Sequence, residues 1–360
     1  MRSIVCVACV ITMACRTPPA AEPAKPEPTS PAPTEPAVVE PTTPPQAQCG
    51  GSELRVAFYD AGQALAALVT LPDGQRILVD AGESPTRAGC GKPCKEWHAR
   101  VLAGLERDIG VGGKIDMVWN THPHSDHLGG MPGVAAKFEV GSYVHNGREL
   151  TGSTVKKAID AAHDDGARVV VVEPGSASIP LSTSEDVKLT AIVPDQWSSV
   201  CKANPNECSI LLRVDYCDSS ILFTGDAEHE EEQHIDIGGE VDLLQVGHHG
   251  SSTSTTLEFI AKAKPRYAVI SSGRQGEGTN RTYCHPIRST VDTLNDALGG
   301  PGSATVRAFD GAASGVKCNK SKPSHWVDAP ASDQLWVTAR DGDIILTTTG
   351  DGVFTRSPSQ

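Results

Sequence analysis

The chain has 360 residues, a formal net charge of −13, 39% hydrophobic residues and only 4% aromatics. This apolar content excludes a wholly disordered chain and a polytopic membrane protein, and the length suffices for one large domain or two ordinary ones. The acidity excludes a nucleic-acid binder coated in lysine, while leaving room for a local basic patch.

Residues 1–14, MRSIVCVACVITMA, place Arg2 before an apolar run too short to span a bilayer and read as a signal peptide. The run ends Thr12-Met13-Ala14-Cys15, which resembles the lipobox of bacterial lipoproteins and predicts a lipid on Cys15. Residues 15–48 are a tether rich in Pro, Ala, Glu and Thr that has little to bury. A folded domain is therefore expected over 49–360. Signal and anchor together predict an exported lipoprotein, periplasmic or at the cell surface, held to the membrane by its lipid and carrying no transmembrane channel. Eight cysteines follow Cys15: Cys49, Cys90, Cys94, Cys201, Cys208, Cys217, Cys284 and Cys318. An even count in an exported chain predicts disulfides, with Cys90–Cys94 and Cys201–Cys208 closing local loops.

From Leu54 the pattern becomes regular. β-Branched and alternating apolar content predicts strands over 54–59, 65–71 and 76–80, with Pro72-Asp73-Gly74-Gln75 as a hairpin turn. Apolar spacing at Trp97, Val101, Leu102 and Leu105 predicts a helix over 97–109. A strand over 115–120 follows, then a helix over 154–165 and a buried strand over 168–172. Further strands are predicted over 187–193, 210–216, 220–224, 241–246, 267–271, 305–309 and 341–348, and helices over 254–263 and 286–298. Hairpins first, then interleaved helices, fit an α/β (α+β) fold of two packed sheets with helices outside.

The strongest chemical signal is Asn120-Thr121-His122-Pro123-His124-Ser125-Asp126-His127-Leu128-Gly129-Gly130 at the end of a strand. In extended backbone His122 and His124 point to one side, so two imidazoles can share one metal. Asp126 and His127 offer a carboxylate and an imidazole to a second. The acidic run from Asp226 to Asp242, including Glu228, Glu230, Glu231 and Glu232, reads as a solvated face.

This HxHxDH run resembles the metallo-β-lactamase superfamily, which implies an αββα four-layer sandwich with metals at the edge of its sheets. Leu222-Phe223-Thr224-Gly225-Asp226 is similar to the family's strand ending in a metal-bridging aspartate. Val246-Gly247-His248-His249-Gly250-Ser251 is similar to the strand whose histidine completes the second site. Asp80 matches the aspartate that orients the metal loop; Asp60-Ala61-Gly62-Gln63 matches the start of a DxGQ motif; Tyr283-Cys284-His285-Pro286 resembles Tyr-Gly-His-Pro. As a set they resemble the metallo-β-lactamase-like domain of ComEC-type competence proteins, without that channel's membrane helices.

The resemblance implies a two-metal centre of zinc, or alternatively manganese, that produces a metal-activated hydroxide. His122 and His124 would hold one metal, Asp126, His127 and either His248 or His249 the other, and Asp226 would bridge them. His248 is preferred as the nearer to its strand end. Asp126, Asp226 and His285 are the candidate catalytic residues, His285 as donor to a phosphate or leaving group. The third histidine that most family members give the first metal is missing here. Around the motif, Arg274 and Arg281 lie in a basic, Gly-rich loop and, with Ser251, are the candidate substrate contacts. The expected function is a phosphodiesterase or nuclease acting on nucleic acid or another phosphodiester. The alternatives are a lactonase or β-lactamase, and a binding lipoprotein without catalysis.

Overall fold

Alternation along the strands decides the layers. In the computed structural model the described residues are 51–148, 152–175, 179–311 and 315–357. The expected signal peptide, Cys15, the tether and Cys49 lie outside them. In chain order the elements are β1 (Leu54–Phe58), β2 (Ala67–Thr70), β3 (Arg76–Val79), α1 (Lys92–Ile109), β4 (Lys114–Trp119), α2 (Ser125–Leu128), α3 (Met131–Ala135), β5 (Glu139–His145), α4 (Ser153–Asp164) and β6 (Arg168–Val171). Then come β7 (Val187–Ile192), β8 (Leu211–Tyr216), β9 (Ser219–Phe223), α5 (His229–His234), β10 (Leu243–Gln245), α6 (Leu257–Ala263), β11 (Tyr267–Ile270) and α7 (Asn280–Tyr283). The chain continues with α8 (Arg288–Ala297), β12 (Ala304–Phe309), β13 (Trp326–Ala331), β14 (Leu335–Val337), α9 (Thr338–Asp341), β15 (Ile344–Thr348) and β16 (Thr355–Arg356).

One sheet has the order β16-β15-β1-β2-β3-β4-β5-β6, the other β14-β11-β10-β9-β8-β7, and β12-β13 form a separate pair. Val56, Phe58, Ile77, Val79, Met117 and Trp119 of the first sheet face Leu212, Val214, Ile221, Phe223, Leu243 and Val269 of the second. The intervening residues point outward: Ala57, Leu78 and Val118 pack with Val101 and Leu105 of α1, while Leu222, Leu244 and Ala268 pack with Phe259 of α6 and Val291 of α8. The result is the four-layer αββα sandwich. Both faces of both sheets are apolar because both are covered. Fully burying each large aliphatic or aromatic side chain contributes about 1.5–3 kcal/mol, so the doubly apolar strands dominate the stabilisation.

Several elements depart from the sequence expectation. β5 was not expected, because Gly141-Ser142 interrupts its apolar pattern. A side chain at Gly141 would come within 2.7 Å of the Asp116 carbonyl, so the glycine permits close pairing with β4. β6, expected to be buried, is an edge strand with both ends exposed. α1 starts at Lys92 and not Trp97, with Pro93 in its first turn. β13 contains Pro330, tolerated in an edge pair. The run after Asp226 is not wholly solvated: Glu231 and Glu232 are buried.

Candidate metal centre

β3, β4 and β5 run parallel, as do β9, β10 and β11. Segments that leave the carboxyl ends of β3, β4, β9, β10 and β11 carry Asp80, the HxHxDH run, Asp226, His248-His249 and the stretch leading to His285. Convergence at strand carboxyl ends is the usual place for a ligand in open α/β sheets.

Asp80 is the pivot of the HxHxDH loop. It is fully buried, with φ 56°, and accepts from Thr121 N at 2.8 Å, Thr121 Oγ1 at 2.8 Å, Asn120 Nδ2 at 2.9 Å and His127 Nδ1 at 2.6 Å. A carboxylate accepts only, so His127 carries its proton on Nδ1 and turns a lone pair outward on Nε2. Thr121 Oγ1, already donating to Asp80, accepts from His122 Nδ1 at 3.1 Å and frees His122 Nε2 in the same way. The loop is seated tightly: a Cβ on Gly130 would lie 1.9 Å from the Ala81 carbonyl oxygen.

Asp226 stands between two groups of donors. Its Oδ1 is 3.1 Å from His127 Nε2 and 3.6 Å from His249 Nε2. Its Oδ2 is 3.7 Å from both His122 Nε2 and His248 Nε2. On the first side His249 Nε2 also lies 3.3 Å from His127 Nε2 and 3.6 Å from Asp126 Oδ2. On the second side His122 Nε2 is 3.0 Å from His124 Nδ1. Two sets of donor atoms that could hold an ion stand out, His122-His127-Asp226 and Asp126-His127-His249, each within 4.8 Å.

The two adjacent histidines therefore divide. His249, not His248, joins Asp126 and His127, and His248 turns toward the His122 side. This is possible because both residues are left-handed, with φ 46° and ψ 46° at His248 and φ 55° and ψ 24° at His249. Such backbone is unfavourable for a residue with a Cβ and persists where the surroundings impose it. His249 Nδ1 donates to the Ser271 carbonyl at 2.7 Å. His248 Nδ1 lies 2.9 Å from Glu228 Oε1, and Glu228 accepts from Asn204 and Asn206. Glu228 was hidden in the acidic run; its position two residues after Asp226 was the available signal.

The cluster fits a metal on its own geometry. Asp226 Oδ1 is buried and, among the described residues, has no hydrogen-bond partner. Nε2 lone pairs of His127 and His249 face that oxygen and each other, an arrangement that a cation satisfies and that neutral groups leave repulsive. Burial pulls the His122 pKa well below the ordinary range, and the neighbouring His127 adds to this. Where protons on the imidazoles take the cation's role, burial acts to raise the Asp226 pKa, but positive charge on His127, His249 and His248 outweighs it and holds the carboxyl well below its usual range.

His285 is also brought to the centre, its ring 5.3 Å from that of His248. Its Nδ1 is 3.1 Å from Gln63 Nε2, a contact the DxGQ motif signalled without a role. The other candidates are placed differently. Arg274 is paired with Asp60 at 2.9 Å, so its charge is met within the protein. Arg281 is exposed and donates to the Gly89 carbonyl. The Ser251 hydroxyl is 3.0 Å from Thr253 Oγ1, and Ser251 N closes the His248 turn. The basic residue that borders the metal loop is Arg87, which donates to Ser125 Oγ and reaches Tyr283 Oη at 3.4 Å. Sequence reading missed it, since it stands alone in a loop. Among the described residues Cys90–Cys94, Cys201–Cys208 and Cys284–Cys318 are disulfides; the first two pairs match the expectation.

Comparison with known proteins agrees with this architecture. The family described as the metallo-beta-lactamase superfamily matches residues 59–274. "ComE operon protein 3" of Bacillus subtilis is 28% identical over 256 residues, 68% of this chain and 31% of the relative. "Recombination protein 2" of Haemophilus influenzae is 30% identical over 224 residues, 61% of this chain and 24% of the relative. "Competence protein ComA" of Neisseria gonorrhoeae is 26% identical, covering 69% of this chain and 32% of the relative. The chain thus spans 24–32% of the length of these relatives. Among solved structures, the short form of human tRNase Z aligns at 16% identity over 62% of this chain and 94% of that one, with a TM-score of 0.38.

Proposed function

This chain belongs to the metallo-β-lactamase superfamily, and from that premise we propose that it is a two-metal phosphodiesterase acting on nucleic acid. The observation that carries the reading is the two-sided Asp226, with His127 and His249 at one oxygen and His122 and His248 at the other. In this reading Asp126, His127 and His249 hold one zinc ion, and His122, His124 and His248 the other. His248 then takes the place of the histidine missing from the sequence. Manganese suits the same donors and is the alternative ion.

When bound, two such ions activate a water and neutralise negative charge that develops at the reacting centre. The chain's own residues do the rest. Asp80, Ser271 and Glu228 hold the imidazoles in the tautomers that expose Nε2. Asp126 and Asp226 serve as ligands at the reacting centre, and His285 flanks it. A cleft of about 570 Å³ beside Ser125, lined by Arg87 and Lys157 among others, offers positive charge to an anionic substrate. The names of the competence and recombination relatives favour a nucleic-acid substrate over a lactam or lactone.

Residues 1–14 serve as the export signal, Cys15 as the lipidated anchor, 15–48 as the tether and 49–360 as the catalytic domain. The three disulfides support an oxidising, exported setting. Among the described residues no helix is long and apolar enough to cross a membrane.

The test is metal content and hydrolysis of single-stranded and duplex DNA by the full chain, beside an Asp126→Ala His127→Ala variant. Two ions per chain and cleavage lost in the variant are expected. Bound metal with no cleavage of either DNA would overturn the substrate, and absence of metal would overturn the enzyme. A Cys15→Ser chain that still sediments with membranes would overturn the anchor.

A further inference from the structure

Gln63 is buried and its amide is fixed at both ends. Gly273 N donates to Gln63 Oε1 at 3.1 Å, which leaves Nε2 as the end that faces His285 Nδ1, also at 3.1 Å. An amide nitrogen only donates, so Nδ1 must accept and the ring proton must sit on Nε2. A flipped amide would set two donors against each other at Gly273. The imidazole is immobilised as well. His285 N donates to Asn280 Oδ1 at 2.7 Å, and Asn280 Nδ2 donates to the His285 carbonyl at 2.7 Å. The preceding residue is tied down by the Cys284–Cys318 disulfide. The ring's hydrogen bond to Gln63 runs through Nδ1, and the ring stands at 81° to that of His248.

We propose that Gln63 makes His285 a fixed, uncharged N–H donor to an oxygen that stays on phosphorus during hydrolysis. This rests on the phosphodiesterase reading. Gln63 is the positioning residue and His285 the catalytic one. No proton moves between His285 and the substrate. Giving up the Nε2 proton from a neutral ring would leave an imidazolate. Gaining a second proton on Nδ1 would press an N–H against the Gln63 amide hydrogens. The ring therefore keeps its proton and shares it with the oxygen as charge grows there, in the manner of an oxyanion hole. A water oxygen bonds to phosphorus and its proton passes to solvent; as the P–O bond to the leaving group breaks, the electron pair of that bond goes to the leaving oxygen, which takes its proton from solvent. Sequence alone leaves His285 open as donor to either a phosphate or a leaving group; Gln63 selects the phosphate oxygen.

The first measurement is a long-range ¹H–¹⁵N spectrum of the full chain, metal-free, with ¹⁵N-labelled histidine near pH 7. The His285 signals are assigned by their loss in His285→Gln. Protonation on Nε2 alone is expected; protonation on Nδ1, or on both nitrogens, overturns the proposal. The second is hydrolysis of a dinucleotide and of a p-nitrophenyl phosphodiester. His285→Ala should lower kcat on both substrates alike, by on the order of 10²-fold. His285→Gln, which retains an N–H donor but no transferable proton, should recover most of that loss. Gln63→Glu, whose carboxylate draws the ring proton to Nδ1, should match His285→Ala in kcat with KM little changed. If that variant does not fold, Gln63→Met removes the amide without burying a charge and should leave both tautomers populated. A loss confined to the dinucleotide, without recovery in His285→Gln, would make His285 a proton-transferring acid and overturn the inference. A wild-type protein that cleaves neither diester would overturn the phosphodiesterase reading instead, and the tautomer would still judge Gln63.

Discussion

The two sides of Asp226 are built differently. On one side His127 and His249 are buried, and their outer nitrogens donate to the Asp80 carboxylate and to the Ser271 carbonyl. On the other, His122 is buried but His124 and His248 are both partly exposed, against Asp126 alone on the first side, and His248 is oriented by Glu228, which is itself only part-buried. Rigid, desolvated donors lose less freedom on binding an ion than exposed ones do. In the two-ion reading the first side is therefore expected to be the tighter of the two, and the second is the more open to solvent.

The largest effect should come from Asp226, which both sides share. Asp226→Ala is expected to abolish binding of both ions and lower hydrolysis by ~10³-fold or more, to the background expected without metal activation of water. Elemental analysis after gel filtration reads the first and a rate assay the second. An Asp226→Ala protein that retains two ions would show that the sides do not share it. Next, His248→Ala should leave one ion per chain under mild chelation, and His249→Ala should lose the tight one. Glu228→Ala keeps every proposed ligand yet should weaken the exposed site by about 10–100-fold, as loss of a carboxylate behind a ligating histidine does. Titration with a chromophoric chelator separates the two affinities. Equal losses in His248→Ala and His249→Ala would erase the asymmetry.

Arg274 sharpens the comparison from outside the centre. It was expected to bind substrate, yet it pairs with Asp60, which Arg100 also approaches at 3.4 Å. Arg274→Ala should change kcat/KM by less than about 3-fold and lower stability by about 0.5–1 kcal/mol, as half-exposed pairs do. Arg87→Ala, beside Ser125, should raise KM for DNA by more than Arg274→Ala does, since its charge borders the metal loop. A steady-state comparison on one oligonucleotide decides between them.

What the sequence disclosed follows the range of the interactions. Strand alternation at 54–58 and 115–119 and the HxHxDH spacing are local, so both were legible. The Cys90–Cys94 and Cys201–Cys208 pairs were legible because the partners lie only 4 and 7 positions apart. The division of His248 from His249 was not, because it depends on two left-handed residues whose strain the fold imposes. The partnership of Gln63 with His285 spans 222 positions and had no local trace beyond a motif fragment. β5 escaped because its glycine is selected by a neighbouring strand and not by its own conformation.

The smallest expected effect lies in the acidic run that was read as solvent-facing. Glu231 is buried; its Oε2 accepts from Ser209 N at 3.0 Å, and its Oε1 has no hydrogen-bond partner among the described residues. Burial, then the charges of Glu207 and Glu232, push its pKa well above the usual value of 4.5. The native state thus holds the proton to higher pH than the unfolded chain does. Stability from this group is complete below the unfolded value of about 4.5 and declines as pH rises through the native value. Glu231→Gln removes that titration while keeping an oxygen for Ser209 N. Measured on the metal-free full chain, the variant's melting temperature relative to wild type should be higher at pH 8 than at pH 4. Glu207 and Glu232 remain in both proteins, so the difference reads the Glu231 titration together with its effect on these two neighbours. An offset that is equal at the two pH values would mean that Glu231 is already charged in its buried site, and that solvent reaches the helix face as the sequence first suggested.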